Sequence, residues 1–75
     1  MIAMNDAPQA TIRVNGESEA FAGTIAALLT AKEIGAEARG IAIAVNGSVV
    51  PRAAWHDTVL RPGDAVEIVR ARQGG

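Results

Sequence analysis

The stretch IAIAVNGSVV at residues 41–50 decides the fold. Bulky β-branched residues alternate with alanine up to Val45, which predicts a strand with one bulky, buried face and one small, flat face. Asn46-Gly47 follows, and Asn-Gly is the strongest two-residue hairpin signal because a type I′ turn needs positive φ at both positions. We therefore predict a returning strand at Ser48–Val50, which Pro51 ends.

The same arrangement occurs nearer the N-terminus. Thr11–Val14 alternates polar and apolar residues, so it predicts a half-buried strand. Asn15-Gly16 then predicts a second hairpin, with Glu17–Phe21 as its returning strand. The chain therefore contains two hairpins of the same kind.

A helix is predicted between the two hairpins. Thr24 suits the N-cap position, and Gly35 suits a left-handed C-cap that ends the helix. Between these two caps, apolar or long side chains recur at helical spacing: Ile25, Leu28, Leu29 and Lys32. The alanines between them have high helix propensity. Residues 36–40 form a connector to the next strand.

The C-terminal third is predicted to be irregular before it returns to the sheet. Residues 52–60 are expected to form a loop or short helical turn, with Trp55 as its core anchor. Pro62 and Gly63 occupy the positions that a type II turn prefers. The last strand is predicted at Ala65–Arg72, with Val66 and Ile68 on one face and the following residues on the other: Glu67, Val69 and Ala71.

The element order is therefore strand, strand, helix, strand, strand, strand. One helix packed across one face of a mixed sheet of about five strands is the economical α+β packing for this order. This is the β-grasp (ubiquitin-like) arrangement, in which the first and last strands lie side by side in parallel. We predict one domain at residues 10–72, a flexible extension at 1–9 and a flexible tail at 73–75.

Composition argues against several classes of function. The chain has 75 residues, no cysteine and a formal net charge of −1. This charge disfavours nucleic-acid binding, and the apolar runs are too short to span a membrane. The N-terminus lacks the features of a secretory signal, so we expect a cytoplasmic protein. His56-Asp57 is interpreted as a surface loop pair, and no catalytic or metal site is predicted.

The second half of the chain resembles the bacterial ThiS family, the sulfur carriers of thiamine thiazole synthesis. The residues that carry the resemblance are Val45-Asn46-Gly47, Val50-Pro51-Arg52, Trp55, Gly63-Asp64 followed by Val66-Glu67-Ile68, and Gly74-Gly75. Each motif is common by itself, whereas the combination in this order is specific. The resemblance covers residues 10–75.

The resemblance implies that the protein is a co-substrate and not an enzyme. A ThiF-type adenylyltransferase would activate the carboxylate of Gly75 with ATP, and a persulfide fed by a cysteine desulfurase would convert it to a thiocarboxylate. Thiazole synthase would accept the sulfur. Phosphate-binding motifs of the Gly-x-Gly type are absent from the sequence. ATP is therefore expected to bind the partner, and this chain is expected to bind no cofactor. Gly74 and Gly75 have no Cβ, so such a tail fits a narrow channel.

A partner surface is predicted beside this tail. Ala42, Ala44, Val69 and Ala71 would form a flat, mildly apolar face if their two strands pair. Arg70, Arg72 and Gln73 are candidates to hydrogen-bond a partner cleft. Ordinary exposed surface and solvated charge are equally consistent with these residue types.

Two other functions remain open at this stage. The first is a sulfur carrier of the molybdopterin-synthase small-subunit type, which shares the β-grasp fold and the terminal Gly-Gly. The second is a β-grasp module that binds proteins and whose Gly-Gly end is incidental.

Overall fold

The computed structural model describes residues 10–35 and 37–70 of the chain. In chain order its elements are β1 (Thr11–Val14), β2 (Glu17–Ala20), α1 (Ile25–Ala31), β3 (Ile41–Val45), β4 (Ser48–Val50), a 3₁₀ turn (Arg52–Ala54) and β5 (Ala65–Arg70). The predicted extension at 1–9, the residues of the last strand beyond Arg70 and the tail lie outside the described residues.

Both Asn-Gly turns adopt the predicted type I′ conformation. Asn15 and Asn46 each have φ of 52°, and the glycines that follow them each have φ of 87°. The strands leave each turn in antiparallel register, with Val14 opposite Glu17 and Val45 opposite Ser48. The right-handed twist of paired strands favours this turn type, which is why a two-residue Asn-Gly loop specifies a hairpin.

The five strands form one mixed sheet in the order β2-β1-β5-β3-β4. β5 pairs in parallel with β1 and antiparallel with β3, so the last strand lies at the centre of the sheet. The predicted β-grasp architecture, with parallel first and last strands, is confirmed.

Each hairpin is also joined to β5 through its turn asparagine. The side chain of Asn15 accepts from the backbone N–H of Ile68 at 2.8 Å and donates to the carbonyl of Ile68 at 3.3 Å. Asn46 accepts from the N–H of Ala65 at 3.0 Å and donates to the Asp64 carboxylate at 3.0 Å. The turn residues therefore continue the hydrogen-bonding ladder of the central strand, a role that the sequence analysis did not predict.

The core lies between the sheet and α1. It consists of buried side chains from both layers and from the loop after the 3₁₀ turn: Ile12, Val14, Ile25, Leu28, Leu29, Ile43, Trp55, Leu60, Val66 and Ile68. Trp55 is 2% exposed, and its indole N–H donates to the carbonyl of Val50 at 2.9 Å. The prediction of Trp55 as a core anchor is therefore confirmed.

The start of α1 is as predicted, but its end is not. Thr24 is the N-cap, and its hydroxyl accepts from the N–H of Ala27 at 3.0 Å. The prediction that Gly35 caps the other end is wrong, because α1 stops at Ala31 and Glu33 takes the left-handed conformation with φ of 63°. The N–H of Glu33 donates to the carbonyl of Thr30, which is one bond of a Schellman cap.

The turn before β5 has the predicted type II features. Gly63 has φ of 91°, and the N–H of Asp64 donates to the carbonyl of Arg61 at 3.0 Å. The Asp64 carboxylate accepts from the N–H of Arg61 at 2.8 Å and from the side chain of Asn46. These hydrogen bonds, led by the one from the Arg61 backbone, lower the pKa of Asp64 because they favour its charged form.

Candidate functional site

The sheet face opposite α1 carries the predicted flat surface. Ala42 lies directly opposite Val69 in the β3–β5 register, and Ala44 lies opposite Glu67. Val69 is 57% exposed and Ala42 is exposed, whereas Ala44 is half-buried. The structure therefore brings these three predicted residues onto one face, which we call the outer face. Ala71 lies outside the described residues.

Two features of the outer face modify the predicted picture. Val49 on β4 lies opposite Ala44 and is 74% exposed, so it widens the apolar strip toward the sheet edge. Glu67 lies on the other side of Ala44, so the face carries a carboxylate among its small apolar side chains. Val49 was not among the predicted residues of this face. Its position three residues after Asn46 places it opposite Ala44 in a two-residue hairpin, so the register of the hairpin could have identified it.

β5 brings the chain to one end of this face. Arg70, the last described residue, is exposed and lies opposite Ile41, the first residue of β3. The predicted modification site, Gly75, and the predicted tail and contact residues Gly74, Gln73 and Arg72 lie outside the described residues. The structure therefore places Arg70 beside the start of β3, and the roles of the residues beyond it stay predictions.

A groove opens at the same end of the molecule, between the connector before β3 and the 3₁₀ turn after β4. It is lined by a mixture of charged, aromatic and glycine residues: Glu37, Arg39, Gly40, Arg52, Trp55 and His56. The guanidinium of Arg52 lies 4.6 Å from the centre of the Trp55 ring and also donates to the carbonyl of Ala38. A cation over an indole face is attracted by the ring quadrupole, so Trp55 holds this charge in place.

Arg52 was not predicted to have a role, although its spacing from Trp55 carried a signal. Side chains three residues apart are eclipsed in a 3₁₀ turn, and Arg52 begins the turn that Trp55 follows. The loop or short helical turn predicted for residues 52–60 does not by itself indicate this pairing.

The described residues show no arrangement typical of a metal centre. Within 10–35 and 37–70, no group of three or more His, Cys, Asp or Glu side chains is placed to hold a metal ion. His56 and Asp57 are both exposed, as expected for a surface loop pair. None of the helices in the described part of the chain has the length and apolar character needed to cross a membrane.

Comparison with known proteins gives a consistent family. Residues 12–75 match the model of the ThiS family, a range that runs from β1 through Gly74 and Gly75. No curated protein matches the chain.

Two solved structures of one target protein from Geobacter metallireducens are similar to the chain. A crystal structure of a thiamine biosynthesis protein (ThiS) is 32% identical over 87% of this chain and 99% of that protein, with a TM-score of 0.71. A solution structure of a thiamine biosynthesis protein is 30% identical over 87% of both chains, with a TM-score of 0.68. Fold and sequence therefore agree over almost the whole described domain.

Proposed function

The chain belongs to the ThiS family, and from this premise we propose that it carries sulfur for the synthesis of the thiamine thiazole. The observation that supports this most directly is the family match, which extends through Gly75 and includes the β-grasp domain that precedes it. The protein acts as a co-substrate: it presents its C-terminal carboxylate to other proteins, which perform the chemistry.

The proposed reaction begins at the carboxylate of Gly75. A ThiF-type adenylyltransferase binds ATP and converts the carboxylate to an acyl-adenylate, because a free carboxylate is a poor electrophile. A persulfide fed by a cysteine desulfurase then attacks the acyl carbon and displaces AMP. A thiol cleaves the S–S bond of the resulting acyl disulfide, which releases the thiocarboxylate and leaves a disulfide. Thiazole synthase takes the sulfur from Gly75. These proteins are cytoplasmic in this proposal, as is the carrier.

The geometry of the described domain is compatible with a carboxylate that enters another protein's active site. Gly75 is the fifth residue after Arg70. A chain of five residues spans at most about 17 Å when it is fully extended. The partner must therefore approach closely the end of the sheet where Arg70 lies, and the outer face is the adjacent flat surface.

We assign the docking of these partners to the outer face and the tail. The exposed Val69 and Ala42 supply the apolar area, together with Ala44. We assign Ala71 to the same contact and propose that Arg70, Arg72 and Gln73 supply hydrogen-bond donors. The thiamine-related names of both similar structures favour thiazole synthesis over molybdopterin synthesis as the destination of the sulfur. They also favour a carrier over a binding module with an incidental Gly-Gly end.

The proposal is tested by the intact mass of the chain after incubation with MgATP, a ThiF-type adenylyltransferase and a sulfur donor. We expect a mass gain equal to the replacement of one oxygen by sulfur. A chain lacking Gly75 should fold identically but should gain no mass.

The positive control is an established carrier treated with the same enzymes. If that carrier is converted while this chain acquires neither adenylate nor sulfur, the proposed function is wrong. If the chain lacking Gly75 gains the same mass, the modification is located elsewhere and the assignment of Gly75 is wrong.

A further inference from the structure

Basic side chains concentrate at the end of the sheet where β5 finishes. Arg39 and Arg52 line the groove described above, and Arg70 lies opposite Ile41, one residue from the groove residue Gly40. The chain as a whole has a formal net charge of −1, whereas the lining of the groove includes two arginines. The groove itself contains one carboxylate, that of Glu37, against the two arginines.

One of these charges is held in place before any partner arrives. Arg52 stacks on the ring of Trp55 and donates to the carbonyl of Ala38. Trp55 is in turn buried and hydrogen-bonded to Val50. A charge that is already ordered loses little conformational freedom on binding, so it is a better recognition element than a flexible surface lysine.

The groove is continuous with the outer face. Gly40 lines the groove and also a shallow apolar depression formed with Ile41, Ala42 and Val69. A protein that covers the depression therefore reaches the groove without a gap. A partner that holds the residues beyond Arg70 would lie next to both surfaces, because Arg70 ends β5 opposite Ile41.

We propose that the groove between the 37–40 connector and the 3₁₀ turn binds an acidic segment of the adenylating partner. This inference rests on the proposed function and adds a second contact to it. The outer face supplies apolar area, whereas the groove supplies charge complementarity, which orients the partner around the tail and speeds its association.

The test is the rate of adenylation of the intact chain by a ThiF-type adenylyltransferase, measured as pyrophosphate release over a range of chain concentrations. Arg39→Glu replaces an attraction with a repulsion, and we expect kcat/KM to fall roughly five- to tenfold. Glu37→Gln removes the one carboxylate of the groove and should raise kcat/KM about twofold. Both effects should shrink as salt is added, since salt screens exposed charges.

Arg61→Glu is the matched control, because it makes the same change of charge at an exposed residue in the turn before β5. Thermal unfolding of each variant shows that the domain is intact. Equal kcat/KM for Arg39→Glu and Arg61→Glu, or a decrease for Glu37→Gln, would overturn the acidic-segment proposal while leaving the carrier function in place. A wild-type chain that is never adenylated would instead overturn the proposed function and this inference with it.

Discussion

Glu33 holds a conformation that glycine adopts more easily. With φ of 63° it occupies the left-handed position that follows the C-cap Lys32. The N–H of Ile34 donates to the carbonyl of Leu29 at 2.8 Å, and the side chain of Ile34 packs against the core. The helix α1 therefore ends in a Schellman-type turn at Glu33, a residue whose Cβ disfavours the left-handed backbone.

We expect Glu33→Gly to stabilise the domain by about 0.5–1 kcal/mol. The left-handed conformation costs a residue with a Cβ roughly 1–2 kcal/mol, and the greater freedom of glycine in the unfolded chain offsets part of the gain. The free energy of unfolding in urea measures the change.

Glu33→Ala is the matched variant, because it removes the same charge and keeps the Cβ. It should give none of the stabilisation. If alanine stabilises the domain as much as glycine does, the cause is the lost charge and not the backbone conformation.

At the scale of elements, the two hairpins are attached to β5 by equivalent asparagines in unequal surroundings. The bonds from Asn15 reach Ile68 in a partly buried part of the sheet, whereas those from Asn46 reach Ala65 and Asp64 at an exposed end. When a side-chain hydrogen bond is removed, water can replace it at an exposed backbone group more easily than at a partly buried one. The loss should therefore cost more at the partly buried group.

Asn15→Gly isolates this effect, because glycine keeps the positive φ of the turn and removes only the side chain. We expect it to lower the free energy of unfolding by about 1–2 kcal/mol, since it leaves the backbone N–H and C=O of Ile68 without their side-chain partners. Asn46→Gly is the comparison, and it should cost less. An equal or larger loss for Asn46→Gly in urea unfolding would contradict the role assigned to burial.

The strands and their hairpin turns were predictable because their signals are local, and the sheet topology followed from the order of the elements. Alternating residues in 41–45 and the Asn-Gly pairs determine strand and turn within a few positions. The bond from Asn15 to Ile68 was not predictable, because it joins residues 53 positions apart. The early end of α1 was missed because the left-handed position that follows the helix falls on Glu33, two residues before Gly35, although glycine is the residue that usually occupies it.

The same distinction applies to the candidate site at the scale of the molecule. The alternation in β3 and β5 predicted which residues share the outer face, and pairing of Ala42 with Val69 confirmed it. The groove was not predictable, because it joins the 37–40 connector to the turn at Arg52. Contacts between two irregular segments have no periodicity from which they can be inferred.

At the scale of the whole molecule, the two faces of the sheet differ in burial, and the proposed docking surface is the exposed one. Val66 and Ile68 on β5 face the core, whereas Val69 on the same strand is 57% exposed on the outer face. Because Val69 contributes little to the core, a substitution there should change the proposed docking without changing the stability of the domain. Val69→Thr keeps the branched shape and the strand propensity of valine and adds a hydroxyl to the proposed interface.

We expect Val69→Thr to lower kcat/KM for adenylation of the chain roughly five- to thirtyfold. Burial of an unpaired hydroxyl against a partner costs about 1–2 kcal/mol, whereas an exposed hydroxyl in the free protein changes the unfolding free energy by less than about 0.5 kcal/mol. Val59→Thr is the matched control, because Val59 is 67% exposed but pairs with Thr24 at the start of α1, away from the outer face. Unchanged adenylation of Val69→Thr, or an equal loss for Val59→Thr, would show that the partner does not dock on the outer face, and the carrier would then be recognised through its tail and the groove beside it.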